Sequence, residues 1–130
     1  MNPITKELKE VGVFFIASAQ DNIPHVRPFG AAAEFEGKTY ICTNNKKACF
    51  KEMTENPHIE ISAMYPGGEW LRMTATPVRD ERREAKTAML EQYPDLRKMY
   101  REDDGIFEVL YLENVKCTKF SFTADPIEIA

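Results

Sequence analysis

Two segments joined by a tight turn constrain the fold of this chain more than any other feature. Residues 25–30 read HVRPFG and residues 40–47 read YICTNNKK, with a turn signal at residues 36–38 between them. Two neighbouring strands would bring one arginine, two lysines, a threonine and two asparagines to one edge of a sheet. Those groups suit a phosphate, and the apolar strands beside them suit a flat ring.

The rest of the chain predicts a mainly β protein with flanking helices. Alternating or β-branched apolar runs bounded by turn residues predict strands over 13–17, 25–35, 38–43, 58–64, 69–78, 107–112 and 116–122. Helical spacing predicts helices over 4–10, 46–54, 81–92 and 94–100. Asn44 or Asn45 is the expected N-cap of the second helix, and Asp80 that of the third. Consecutive hairpins then indicate an antiparallel barrel of six or seven strands.

Pro28 constrains the position of its own strand. A proline has no backbone N–H and cannot donate to a strand ladder. The strand over residues 25–35 is therefore expected to bulge at Pro28 or to lie at a sheet edge there.

The bulk composition fits one soluble domain covering residues 1–130. With 17 basic and 21 acidic residues the net charge is −4, which argues against non-specific binding to nucleic acid or to anionic membranes. The apolar run over residues 11–19 is too short to span a bilayer, and no signal-peptide pattern opens the sequence, so a cytoplasmic location is expected. Three cysteines without a C-x-x-C spacing, together with two histidines, predict no metal site.

Four groups of residues are candidates for chemistry, and each also has a structural interpretation. Arg27 offers forked donors that fit phosphate oxygens, although a strand arginine is commonly a surface residue. Residues 43–47 join a strand end to a helix start, where free backbone N–H groups and two lysines favour an anion. Trp70 and Arg72 share one face of a strand, where the indole would either belong to the core or lie at a rim facing a ring or a partner subunit. His25 is either a proton donor or a structural residue.

Common catalytic and nucleotide-binding patterns give no further support. Neither of the glycine-rich phosphate-binding motifs occurs, which weakens a nucleoside triphosphate or dinucleotide-fold interpretation. The sequence shows no serine–histidine–acid arrangement, and its glutamates are too scattered to indicate a paired-carboxylate hydrolase.

Several segments resemble the pyridoxamine 5′-phosphate oxidase-like family, the flavin-binding split β-barrels, and above all its short general-stress and nitroimidazole-resistance-type members. The matching segments are VRPFG at 26–30, EGKTY at 36–40, CTNNKK at 42–47, NPHIEISA at 56–63, GEWLR at 68–72, YPDL at 93–96 and FSF at 120–122. Their order and spacing extend over nearly the whole chain. The resemblance implies an antiparallel split barrel that binds FMN.

The resemblance also implies a homodimer with FMN at each of two subunit interfaces. The ring and ribityl chain would lie along the strand that carries Arg27, Pro28, Phe29 and Gly30. The phosphate would meet Thr43, Asn44, Lys46 and Lys47. Trp70 and Arg72 would approach from the partner subunit. The sequence ends at Ala130 without the C-terminal segment that true pyridoxamine phosphate oxidases use for substrate, so vitamin B6 oxidation is not expected. Nitroimidazole-type relatives often place a histidine near the flavin, and His25 is the candidate for that role here.

Three functions remain open at this point. The first is an FMN-dependent oxidoreductase that passes electrons from a reduced nicotinamide to a small aromatic or quinone-like acceptor, with backbone N–H groups around residues 29–31 stabilising the reduced flavin. The second is a non-catalytic module that holds a flavin or a related cofactor, such as a deazaflavin or a haem, as a sensor or store. The third is a barrel dimer with an empty cleft that acts in protein interaction. The compact phosphate cluster favours FMN among the cofactors.

Overall fold

The computed structural model describes residues 1–130 and contains eight strands and three α-helices, with one 3₁₀ helix. The strands are β1 Phe14–Gln20, β2 Ile23–Phe29, β3 Ala33–Phe35, β4 Lys38–Asn44, β5 Ile59–Met64, β6 Trp70–Asp80, β7 Phe107–Phe120 and β8 Ile127–Glu128. The helices are α1 Pro3–Val11, α2 Ala48–Glu55, α3 Arg83–Gln92 and the 3₁₀ helix Pro94–Lys98. None of the helices has the length and apolar character that crossing a bilayer requires.

The strands form one antiparallel sheet in the order β2-β1-β5-β6-β7-β4-β3, and β8 pairs with β7. This confirms the mainly β, antiparallel split-barrel fold with flanking helices, although eight strands replace the six or seven expected. Strand β5 alternates strictly between buried and exposed residues, as the period of two in its sequence predicts. The buried residues of β1, β5 and β6 form the main core, which includes Phe14, Ile16, Ile61, Leu71 and Met73.

The segment over residues 25–35 is two strands rather than the single strand predicted from its apolar character. Strand β2 pairs with β1 at one end of the sheet, whereas β3 pairs with β4 at the other. Asp21 and Asn22 both have positive φ, which makes the tight turn that folds β2 back onto β1. The hairpin turn at Glu36 and Gly37 therefore joins β3, not β2, to β4, and the predicted adjacency of residues 25–30 and 40–47 is wrong. The edge position expected for Pro28 is confirmed.

The last long strand corrects a second boundary. Two strands around residues 113 and 114 were expected, but β7 is continuous through Phe120. Asn114 adopts a positive φ, and the register between β6 and β7 shifts between Thr74 and Thr76. A β-bulge therefore accommodates the polar residues that resemble a turn in the sequence, without ending the strand.

Both helix caps expected from side chains are also wrong. Helix α2 begins at Ala48 with Lys47 at the N-cap, while the Asn44 Oδ1 atom accepts a hydrogen bond from the Lys46 backbone N–H. Helix α3 has Arg82 at its N-cap. Asp80 is the last residue of β6 and accepts from the Arg82 backbone N–H one step before the helix. In both cases the polar side chain serves the turn that precedes the helix.

Asp80 is buried and lies at the centre of a polar network that extends to the surface. Its carboxylate accepts hydrogen bonds from the Tyr40 hydroxyl at 2.7 Å and from Arg82 at 3.0 Å, and Arg82 also pairs with Glu36. Burial works to raise the pKa of Asp80, but the hydrogen bonds from Arg82 and Tyr40 outweigh it and hold the pKa at about 2, below the ordinary 3.8. The network links β4 to the end of β6, because Tyr40 lies on β4.

This network predicts a defined acid dependence of stability. Because the pKa of Asp80 is lower in the folded than in the unfolded protein, the ionised carboxylate stabilises the fold at pH values above the unfolded pKa. That stabilisation is lost as the pH falls from about 4 to about 2. We expect Asp80→Asn to lower the free energy of unfolding at pH 7 by roughly 2 kcal/mol, and to flatten its change over that acidic range. Denaturant unfolding at several pH values measures both effects. The exposed Asp103→Asn serves as control, and an equal loss in both variants would contradict the assignment.

Candidate functional site

A cavity of about 520 Å³ opens between β2, β4, the start of α2 and the 3₁₀ helix. Its size lies within the range of about 300–1,000 Å³ that is typical of small-molecule and cofactor sites. The lining residues are Arg27, Pro28, Phe29, Gly30, Ala31, Cys42, Thr43, Lys47, Cys49, Gln92, Tyr93, Pro94, Asp95, Leu96, Met99 and Tyr100.

Strands β2 and β4 lie far apart in the sheet order, yet both line this cavity. The curvature of the barrel, rather than hydrogen bonding between the two strands, therefore brings residues 27–30 near Thr43 and Lys47. The sequence predicted that these residues would meet through direct pairing of two neighbouring strands, and the sheet order contradicts that pairing.

Cationic and hydroxyl groups reach the cavity from β2, β4 and the start of α2. The lining residues that carry such groups are Arg27, Thr43 and Lys47. Lys47 is the N-cap residue of α2, so its backbone lies where the unpaired N–H groups of a helix start are found. Burial raises the pKa of the neighbouring Cys42 thiol to about 12, while the Lys47 charge works to lower it. The Cys42 thiol is therefore neutral near pH 7, and the positive charge of Lys47 is close to it.

The 3₁₀ helix and the residues around it provide an apolar wall that includes Leu96 and Met99. Two tyrosines attach this wall to the segment between β2 and β3 and to strand β4. The Tyr93 hydroxyl accepts from the Ala32 backbone N–H at 3.2 Å and lies 3.1 Å from the Ala32 carbonyl oxygen, to which it donates. The Tyr100 hydroxyl accepts from the Asn44 side-chain amide at 2.8 Å. The sequence predicted a short helix here, but nothing in its local pattern indicated that this helix would face residues 27–31.

Arg27 is held by two buried side chains. Its Nη1 donates to the Ser18 hydroxyl at 2.7 Å, and its Nη2 donates to the Glu52 carboxylate at 3.1 Å. Ser18 in turn donates to the same Glu52 oxygen at 2.7 Å. The Arg27 side chain is 22% exposed and that of Glu52 only 4%. The hydrogen bond from Ser18, with those from Arg27 and its charge, holds the pKa of Glu52 below its usual value against the effect of burial.

Six of the ten residues proposed to bind the cofactor line the cavity. They are Arg27, Pro28, Phe29, Gly30, Thr43 and Lys47. Asn44 and Lys46 do not line it, although the amide of Asn44 supports Tyr100 and thereby the apolar wall. His25 is exposed on β2, two residues from Arg27, and is also absent from the lining.

Trp70 and Arg72 lie elsewhere, on the outward face of β6. The Trp70 ring stacks on Phe120 at 5.5 Å and contacts Phe122 at 4.7 Å between ring centroids. Arg72 lies over the Phe120 ring and pairs with Glu60. The indole therefore packs against outer aromatic rings and is not part of either buried core cluster. Within one chain these two residues do not reach the cavity.

An apolar surface surrounds Trp70. We call it the outer aromatic patch; it consists of Met64, Trp70, Phe120 and Phe122. Met64 and Phe120 are the cross-strand neighbours of Trp70 on β5 and β7. Met64 is 60% exposed and Phe122 is 84% exposed. Contiguous exposed apolar side chains of this kind are typical of an interaction surface.

Comparison with known proteins places this architecture in a family. Residues 3–115 match the family described as pyridoxamine 5′-phosphate oxidase. A NimC/NimA family protein from Clostridium acetobutylicum is 47% identical, with a TM-score of 0.94 over 97% of this chain and 88% of that one. No curated protein sequence matches the chain.

More distant solved structures share the fold. One is a pyridoxamine 5′-phosphate oxidase-related, FMN-binding protein from Nostoc punctiforme, 16% identical, with a TM-score of 0.61 over 88% of this chain and 78% of that one. Another is a heme-binding protein from Mycobacterium smegmatis, 14% identical, with a TM-score of 0.72 over 95% of this chain and 56% of that one. The match over residues 3–115 and the 47% identical relative confirm the resemblance seen in the sequence. This chain belongs to the pyridoxamine 5′-phosphate oxidase family.

Proposed function

We propose that residues 1–130 form one FMN-binding domain and that the protein is a flavin-dependent oxidoreductase. The observation that carries this proposal is a single cavity that combines cationic and hydroxyl donors with apolar walls. A flavin mononucleotide has the complementary chemistry, with a dianionic phosphate at one end and a flat, largely apolar ring at the other.

The residues of the cavity fit such a ligand. Lys47, Arg27 and the Thr43 hydroxyl offer charged and neutral donors to phosphate oxygens. Gly30 lines the cavity and has no side chain, which leaves space beside its backbone that a planar ring could occupy. The FMN-binding relative from Nostoc punctiforme supports the choice of cofactor.

We propose further that electrons pass from a reduced nicotinamide to a small-molecule acceptor. Bound FMN would supply the hydride and electron chemistry, while the protein would bind and orient it and shield it from water. Tyr93 and Tyr100 hold the apolar wall over the cavity and would restrict solvent there.

Anaerobic stopped-flow reduction of the FMN-loaded protein by NADH and NADPH tests the oxidoreductase proposal. We expect rapid bleaching of the flavin band with one of the two donors, followed by reoxidation when a small quinone is added. Firmly bound FMN that neither donor reduces would contradict it.

The same measurement separates the oxidoreductase from a non-catalytic binding module. The heme-binding relative from Mycobacterium smegmatis favours this second candidate, because its fold serves as a holder for a different flat cofactor. A sensor or store would retain a ligand without turnover. Binding of haem in preference to FMN would support the module and contradict the flavin assignment.

We also propose that the protein is a homodimer that uses the outer aromatic patch. The exposed side chains of the patch support this, as does the family resemblance, which implies a cofactor shared between subunits. In such a dimer Trp70 and Arg72 would approach the cavity of the partner, although they do not reach their own.

Met64→Asp tests the dimer with little risk to the fold, because this side chain is 60% exposed. A charge in an apolar interface would be desolvated without a partner, so we expect the variant to become monomeric. Light scattering coupled to gel filtration measures the mass. Thr54→Asp adds the same charge to the exposed face of α2 and should leave the mass unchanged. A Met64→Asp variant with the mass of the unaltered protein would contradict the proposed interface.

A further inference from the structure

Arg27 lines the cavity, but its guanidinium is engaged by residues outside the lining. Nη1 donates to Ser18 and Nη2 donates to Glu52, and neither of these residues lines the cavity. Nη1 also lies 3.4 Å from the Ile16 carbonyl oxygen on the neighbouring strand. A long, flexible side chain on an edge strand is thereby restricted to one orientation.

Ser18 and Glu52, which restrict Arg27, also satisfy each other's hydrogen-bonding groups. Ser18 and Glu52 are both buried, and the single Ser18 proton goes to the Glu52 oxygen that also accepts from Arg27. Three elements meet here, because Ser18 lies on β1, Arg27 on β2 and Glu52 on α2. Glu52 does not line the cavity, so its hydrogen bonds could affect a ligand there only through Arg27, whereas its charge could act directly through space.

We infer that Glu52, acting with Ser18, is a positioning residue that fixes the Arg27 guanidinium at the cavity edge for contact with the phosphate of a bound flavin. This inference rests on the proposed flavin function. It concerns residues that no sequence motif indicated, since Glu52 lies within a helix that was predicted only for its spacing. Preorganisation lowers the ordering cost that phosphate binding would otherwise impose on Arg27.

The direction in which phosphate affinity changes when Glu52 is neutralised distinguishes a positioning role from a purely electrostatic one. Glu52 is an anion near an anion site, so loss of its charge would strengthen phosphate binding if Coulomb attraction alone mattered. Loss of positioning would weaken it instead. Ser18→Ala provides an independent probe, because it removes the hydroxyl between Arg27 and Glu52 and changes no charge.

The measurement compares FMN with riboflavin, which has the same ring and lacks the phosphate. Fluorescence titration gives Kd for each flavin, and the ratio of the two reports the phosphate contact. In both Ser18→Ala and Glu52→Gln we expect the preference for FMN to fall about tenfold, while Kd for riboflavin changes less than about twofold. In an Arg27→Ala background, Glu52→Gln should change the preference no further.

Glu55→Gln is the matched control, because it removes the same charge from the same helix at an exposed position. Thermal unfolding establishes that each variant is folded. An unchanged or increased preference for FMN in the two test variants would overturn the inference, as would an equal loss in Glu55→Gln. Equal weakening of FMN and riboflavin would assign Ser18 and Glu52 a purely structural role and would also overturn it. Failure of the unaltered protein to bind either flavin would instead remove the proposed function and the inference with it.

Discussion

The Lys47→Ala variant is expected to bind FMN about tenfold more weakly than the unaltered protein while binding riboflavin equally well. Lys47 lines the cavity, and none of the ion pairs of the chain includes it. Its ammonium is therefore available to an incoming phosphate. A cation at a helix N-cap is mildly unfavourable by itself, and a bound anion would relieve that cost.

Fluorescence titration with both flavins at fixed ionic strength measures this effect. The control is Lys51→Ala, which removes the same charge from the exposed face of α2, outside the cavity lining. We expect the control to bind both flavins as the unaltered protein does, because exposed charges at a distance are screened by salt. Equal losses in the two lysine variants, or a riboflavin loss that matches the FMN loss, would contradict a direct phosphate contact by Lys47.

Arg27→Ala is expected to cost about 3 kcal/mol of unfolding free energy, in addition to its effect on phosphate binding. The substitution leaves the Glu52 carboxylate buried, with the Ser18 hydroxyl as its remaining hydrogen-bond donor. Removal of one partner from a buried ion pair is much more destabilising than removal of both, because an uncompensated charge remains. The partner variant Glu52→Gln should cost less, since Arg27 is 22% exposed and can turn towards water.

Denaturant unfolding of a small set of variants tests this asymmetry. The double variant Arg27→Ala/Glu52→Gln should be more stable than Arg27→Ala alone, because the second substitution removes the stranded charge. Lys51→Ala is a suitable control, as Lys51 pairs with the exposed Glu55 and should cost less than about 1 kcal/mol. A double variant no more stable than Arg27→Ala would show that the charge of Glu52 is not the source of the loss.

Local patterns in the sequence predicted much of the fold correctly. The alternation in β5 and β6 determines which side chains enter the core, because successive residues of a strand point to opposite faces of the sheet. The 3₁₀ helix after Pro94 was expected from the proline at a helix start. Burial alternation and helix starts depend on residues close together in the sequence, so they can be predicted from local patterns.

Features that depend on distant contacts could not be predicted in the same way. Asp21 and Asn22 are residues typical of a turn, yet nothing local shows that β2 pairs only with β1 while β3 lies at the other end of the sheet. Ser18 and Glu52 have no distinctive pattern, since a serine in a strand and a glutamate in a helix are both ordinary. Their role depends on α2 packing against β1, which only the three-dimensional arrangement reveals.

The most direct measurement is the visible spectrum of the purified protein after incubation with FMN and gel filtration, with the flavin counted against protein. We expect a flavin band that elutes with the protein at about one FMN per chain, because each chain contributes one set of phosphate donors and apolar walls. A colourless protein fraction, with all of the FMN eluting separately, would contradict the assignment of this cavity to FMN.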